Sequence, residues 1–307
     1  MLKLITNAIV YKAELPSAQL LAKHLAEFPY HPIADTALSQ ASFVPNKTSN
    51  ELVTEFTDGF AFHLRYDEKI LPASVVKAKS DERIAKFEAE QGVRLKKAER
   101  EAIREQTLVD LAKTALVKTS IIPAFYSTKD NLLIVNTGGK KFADRVTSYL
   151  IHAVGSVKTT TIHVSNIKHG LTTRLKSHLW RDDNAFDGFE VGASVALKSG
   201  SQKVSYSLED LETARAGILE AIDKGFEVER LAMVHHGVEF KLTSDFHFKA
   251  VRFEDSERED DDEVTDAVHF WKHEAGVQVL QFSAALNQLC DLLGYKAEEE
   301  AEAEQTA

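Results

Sequence analysis

Residues 68–106 read EKILPASVVKAKSDERIAKFEAEQGVRLKKAEREAIREQ, and the fold turns on how this stretch is read. From Ala73 to Lys118 there is no proline and a single glycine, Gly92, so the spacing predicts two helices broken near Gly92. Over the thirty residues from Lys77 to Gln106 the only large apolar side chains are Ile84, Phe87, Val93, Leu95 and Ile103. So narrow a stripe packs one helix against one partner, which predicts a helix pair that lies on itself and projects from the main body. Its other faces carry Lys77, Lys79, Arg83, Lys86, Arg94, Lys96, Lys97, Arg100 and Arg104. Interleaved acids allow ordinary helix-surface pairing, for example Glu90 with Arg94 or Glu101 with Arg104. The cluster Arg94, Lys96, Lys97 and Arg100 is the least balanced by acids.

Working outward on the amino-terminal side, Leu2–Tyr11 reads as a strand. Pro16 and Ser17 open an amphipathic helix bearing Leu20, Leu21, His24, Leu25 and Phe28. Residues 29–50 read as a loop, and Gly59–Tyr66 alternates Phe60, Phe62, Leu64 and Tyr66 as a half-buried strand. On the other side, strands are expected at Ser120–Tyr126, Leu132–Asn136 and Thr159–Val164, with a helix at Lys140–Val154. Beyond them come strands near 189–197, 231–236, 238–242 and 246–253, a helix over 208–224 and a final helix over 264–293. His235-His236-Gly237 reads as a hairpin turn. The acidic run 254–263 reads as a solvated loop, and residues 296–307 as a disordered acidic tail. The sum is an α+β chain with a mixed sheet body and a projecting long-helix pair. Its expected divisions are 1–72, the arm 73–118, a basic strand-helix-strand segment 119–181, a carboxy-terminal region 182–295 and the tail.

Composition narrows the function. The 307 residues are 44% hydrophobic and 27% charged, with no run approaching a membrane span and no signal-peptide core at the start. The single cysteine, Cys290, excludes an intrachain disulfide framework and fits a reducing cytosol. Net charge is −10, but it is unevenly spread: residues 77–181 hold 20 basic and 10 acidic side chains, while residues 182–307 hold 11 and 29. Between Ser127 and Arg181 nine cations face only Asp130 and Asp144. Both a nucleic-acid face and an acidic region packed beside a basic one fit this asymmetry. Lys140, Lys141 and Arg145 fall in the first turns of a helix, where the dipole disfavours cations, a placement that makes sense beside an anion.

Motifs for catalysis are missing. Thr137-Gly138-Gly139-Lys140-Lys141 lacks the first glycine and the Ser or Thr of a phosphate loop and reads as a helix start. Cys290 shares an apolar helix face with Leu286, Leu289 and Leu293 and reads as a core thiol. His269 and His273 share a helix face without further ligands, so no metal and no cofactor are expected. Asp81, Glu82 and Glu88 read as solvated helix carboxylates rather than a catalytic cluster.

Glu68-Lys69-Ile70-Leu71-Pro72, Ile84-Ala85-Lys86-Phe87-Glu88-Ala89-Glu90-Gln91 and Arg94-Leu95-Lys96-Lys97 together resemble the central signature of RdgC, the recombination-associated family of proteobacteria. The likeness extends to Val10-Tyr11, Phe43-Val44-Pro45, Leu132-Leu133-Ile134-Val135, Leu231-Ala232-Met233 and Ala284-Ala285-Leu286. It implies a non-enzymatic, cytoplasmic and nucleoid-associated protein that binds double- and single-stranded DNA without sequence preference. It further implies a ring-shaped homodimer whose basic interior encircles DNA and limits access of the RecA recombinase, including at replication forks. The expected DNA contacts are Lys77, Lys86, Arg94, Lys96, Lys97, Arg100, Lys118, Lys140, Lys141 and Arg145. The chain departs from the family pattern at Leu111-Ala112-Lys113-Thr114-Ala115-Leu116, where Leu116 takes the place of an aromatic dimer gate, and at Tyr206-Ser207-Leu208-Glu209. The alternative is a protein-interaction module whose basic arm binds an acidic recombination or replication partner.

Overall fold

The computed structural model describes residues 2–162, 167–182, 184–208, 211–254 and 266–295. One antiparallel sheet of twelve strands runs through the body, in the order β2-β4-β5-β6-β1-β12-β11-β10-β8-β9, with β3 also on β4 and β7 also on β1. The strands are β1 (Asn7–Ala13), β2 (Ser39–Val44), β3 (Val53–Phe56), β4 (Gly59–Lys69), β5 (Val117–Ser127), β6 (Leu132–Val135), β7 (Thr159–Thr161), β8 (Glu190–Ser199), β9 (Gln202–Ser207), β10 (Glu227–His235), β11 (Val238–Thr243) and β12 (Phe248–Phe253). The seven helices among the described residues are α1 (Ala18–Ala26), α2 (Ala73–Gln91), α3 (Lys97–Thr114), α4 (Lys140–Val154), α5 (Ile167–Leu179), α6 (Leu211–Asp223) and α7 (Ala267–Leu293). The α+β class is as expected, but every strand pairing is antiparallel rather than mixed.

Alternation along the strands sorts side chains onto two faces. In the amino-terminal half Ile9, Tyr11, Phe60, Phe62, Leu64, Tyr126, Leu133 and Val135 form one core with Leu21 and Leu25 of α1 and Val146 and Leu150 of α4. The opposite residues, Val10, Ala61, Phe125 and Ile134, join a second core with α5, α6 and α7 that continues under β8–β12. Phe248 is central to it, with the rings of Phe240, Phe246 and Phe282 at 5.1, 5.5 and 5.0 Å.

The elements that escaped the sequence reading were β2, which falls within the stretch read as loop, and β3, β9 and α5, for which no element was expected. The first strand begins at Asn7 rather than Leu2 because side chains of α7 take the preceding backbone: Leu2 N–H donates to Glu274 Oε2 at 3.0 Å and Ile5 N–H to the fully buried Gln278 Oε1 at 3.2 Å. His236 and Gly237 turn the β10–β11 hairpin with positive φ of 44° and 77°. Of the acidic run only Glu254 is described, and the tail 296–307 lies outside the described residues.

α2 and α3 pack principally on each other. With 19 residues α2 extends for about 28 Å. The buried side chains along the pair are Ser80, Ile84, Thr107 and Ala112, mostly small, and Ser80 and Thr107 satisfy their hydroxyls on Val76 and Ile103 carbonyls one turn back. Gly92, at φ 67°, ends α2 in the left-handed conformation that glycine adopts without strain.

Candidate nucleic-acid interface

The arm holds its charges in two ways. One set ties the helices together: Arg83 bonds Asp110 at 2.8 Å and Arg100 bonds Glu88 at 2.7 Å. Glu88 also accepts the Leu95 N–H at 2.9 Å, and that bond, with Arg100, holds its carboxyl below the usual range. Glu90 pairs with Lys86 at 3.9 Å rather than with Arg94, because i,i+4 within one helix is the shorter reach. Lys79–Glu82, Arg104–Glu101 and Lys113–Asp110 are further surface pairs. Glu82 and Glu88 are thereby structural partners of cations. The second set, Lys77, Arg94, Lys96 and Lys97, is exposed and has no ion pair within 4.0 Å among the described residues.

The α4 cations divide in the same manner. Lys140 is exposed and without an ion pair among the described residues, whereas Lys141 reaches Glu68 at 3.5 Å. Arg145 is half-buried, with its guanidinium carbon 3.6 Å from the Tyr66 ring centroid. Tyr66 in turn meets Phe142 edge-on at 5.9 Å. Lys118 is opposite Glu68 in the β4–β5 ladder, so it shares the α4 side of the sheet. Thr137-Gly138-Gly139 is a helix start, as its sequence predicts.

Sequence reading missed the continuation of this face. Because Phe240, Leu242 and Phe248 point into the core with α7, Glu239, Lys241, Lys249 and Arg252 point the other way, and Lys241 lies directly opposite Lys249. Lys198 and Lys203 oppose each other farther along, and Arg230 is opposite Ala196. Asn7 joins the two halves: it is opposite Lys249, and its Oδ1 accepts the Ala250 N–H at 3.4 Å and lies 3.5 Å from where a Cβ on Gly138 would stand. From the arm's foot at Lys118, cations thus follow one side of the sheet past Lys140 and Lys141 to Lys241, Arg252 and Lys198. The signal was alternation at period two, hidden by summing charge over an acidic third of the chain.

Leu116 is at the foot of the arm, not its far end. It is 76% exposed, and its carbonyl accepts the Ile70 N–H at 2.8 Å. Ile70, Val75, Val117 and Ile121 are exposed in the same part of the chain.

The other candidates are inert or isolated. Burial pushes the Cys290 thiol up to about 11. His269 and His273 are exposed, and no group of three or more His, Cys, Asp or Glu able to hold a metal occurs among the described residues. None of the described helices is long and apolar enough to cross a membrane.

Fold and site together define an α+β protein with a row of cations along one face of its sheet and a projecting helix pair that carries further cations. The chain belongs to the RdgC family: the family model described as "Putative exonuclease, RdgC" matches residues 4–296. Among its relatives, the recombination-associated protein RdgC of Shewanella loihica is 27% identical over 301 residues, covering 94% of this chain and 97% of that one. Those of Neisseria gonorrhoeae FA 1090 and Pseudoalteromonas atlantica are 26% and 24% identical, covering 80% and 87% of this chain and 81% and 90% of their own. Membership makes this a recombination-associated protein; the word exonuclease in the family description is a name and carries no evidence of a reaction.

Proposed function

We propose that the protein binds double- and single-stranded DNA without sequence preference, encircles it as a homodimer and limits RecA access during recombination, acting at the nucleoid as a binding protein rather than a catalyst. The observation that carries this reading is the alignment of Lys118, Lys140, Lys241 and Lys249, which make no ion pair among the described residues, along one side of one sheet, next to an arm whose Arg94, Lys96 and Lys97 likewise make none among them. Such groups contact phosphates, which position a protein on DNA without reading bases. Each contact releases counterions and adds about 0.9 to the slope of log affinity against log salt. An acidic protein can hold a polyanion in this way because screening limits exposed charges to about 8–10 Å, so the local face outweighs the net charge.

The test is binding to random-sequence DNA over a salt series, with a closed circle beside its linear form. Steep salt dependence with longer retention on the circle supports encirclement. Equal loss from both forms removes encirclement and keeps DNA binding; no binding at low salt removes the DNA reading. A second reading, an arm that docks an acidic protein partner, is favoured by Phe87 and Val93, which are 43% and 62% exposed on the arm. Aromatic side chains are enriched at protein interfaces, and Phe87 supplies one on the arm.

A further inference from the structure

At one end of the carboxy-terminal half-sheet the chain reverses three times: at Gly200 between β8 and β9, at Gly225 before β10, and at Asp245 between β11 and β12. With the first turn of α5 these reversals enclose a cleft of about 580 Å³, within the roughly 300–1,000 Å³ range of small-ligand sites. It is lined by Lys168, Lys198, Lys203, Arg230, His247 and Lys249. The acids facing it are Glu227, Glu229 and Asp245. Glu229 is already engaged, 2.6 Å from Lys203 and 3.9 Å from Lys198, and the Lys203 hydrogen bond holds its carboxyl below the usual range. It therefore fixes two ammonium groups on one wall. Arg230 follows a β-bulge between Val228 and Arg230, a device that re-aims a side chain. Lys168, Arg230 and Lys249 have no ion pair within 4.0 Å among the described residues. Like charges gathered around a concavity repel one another, and an anion held between them relieves that cost.

We propose that this cleft binds a terminal phosphate, a phosphomonoester or pyrophosphate group, at the end of a nucleic-acid strand or on a free nucleotide. The side of a duplex is convex and lies along a face; a concave site admits only a group that protrudes. The inference goes beyond sequence-independent DNA binding and requires neither a dimer nor encirclement.

The test is calorimetric titration of the full chain with inorganic pyrophosphate, followed by competition on duplexes that differ only in carrying 5′-phosphate or 5′-hydroxyl ends. Saturable pyrophosphate binding that weakens about tenfold or more in Arg230→Gln/Lys249→Gln, with an unchanged circular-dichroism spectrum, supports the cleft. Lys168→Gln, on a different element, gives the same answer if the double variant does not fold. Preference for the phosphorylated duplex, abolished by pyrophosphate, identifies a strand end; equal binding of both duplexes with pyrophosphate still bound identifies a free nucleotide. No saturable pyrophosphate binding, or binding that the variants retain, overturns the proposal. Duplex binding without pyrophosphate binding sinks the cleft alone, and the converse sinks the DNA reading alone.

Discussion

Arg145 lies over the ring of Tyr66, its guanidinium carbon 3.6 Å from the centroid and its Nη1 buried with no hydrogen-bond partner among the described residues, while Lys140 on the first turn of the same helix is exposed and makes no ion pair among them. Two cations of α4 that look alike in sequence thus do different work: Arg145 anchors the helix to β4, and Lys140 is available to an anion.

Alanine at these positions should separate stability from binding. Arg145→Ala loses a partly desolvated cation–π contact and packing area, an expected cost of about 1–2 kcal/mol in chemical denaturation. Lys140→Ala should leave the denaturation midpoint in place and reduce the slope of log affinity against log salt by about 0.9. Equal effects of the two substitutions on both readouts would contradict this division.

The helix pair was legible because its pattern is local: a long run without proline, one glycine and a narrow apolar stripe leave few alternatives. α4 was legible to the residue for the same reason, with Gly138-Gly139 before it and Gly155 after it. β2 and β3 were not, since their stability comes from register on β4, Phe43 against Leu64 and Val53 against Phe62, which no local propensity carries. α5 was lost because its buried stripe, Leu171, Leu175 and Leu179, is broken by basic and small residues. The site was half legible. Charge counting found the arm and α4 but could not say that Arg100 is committed to Glu88, or that Lys241 and Lys249 face the same way.

Acid should weaken the amino-terminal half-sheet through His63. This side chain on β4 is half-buried, its Nδ1 has no hydrogen-bond partner among the described residues, and burial pushes its pKa down to about 4 from 6.5. The unfolded chain takes up the proton first, so the contribution is fully present above pH about 6.5 and is lost as pH falls toward 4. Denaturation at pH 7.5 and pH 5 should show a loss on the order of 2 kcal/mol that His63→Gln reduces. Asp67 adds to acid sensitivity only lower down: burial alone would raise it, but hydrogen bonds from Thr119, Arg65 and Tyr30 hold it below the usual carboxyl range.

Leu116 tests the proposed homodimer. Its 76% exposure beside Ile70 makes it a surface with little to lose in the monomer and much to gain in a contact. Leu116→Asp is expected to leave thermal stability within about 0.5 kcal/mol. In sedimentation velocity it should shift the protein toward monomer, and it should shorten retention on circular DNA to that on linear DNA. An unchanged dimer in this variant places the interface elsewhere.

The arm discriminates between a DNA ligand and a protein ligand. Arg94→Glu/Lys96→Glu/Lys97→Glu reverses three cations that make no ion pair among the described residues, so the helix pair should keep its melting temperature. Arg100 is left in place because its bond to Glu88 holds the turn between α2 and α3, where Glu88 also secures Leu95. Lys79→Glu serves as the comparison, since Lys79 already shares its charge with Glu82 at 2.8 Å. If the arm touches phosphates, the triple variant should lose duplex affinity by more than about tenfold at physiological salt and flatten the salt slope by about 2.7, with Lys79→Glu well below that. If the arm docks a protein, the triple variant keeps its duplex affinity, and Phe87→Ala and Val93→Ala become the substitutions that matter. Affinity and salt slope together decide the case, because a loss of affinity without a change of slope signals damage to the arm rather than the removal of phosphate contacts.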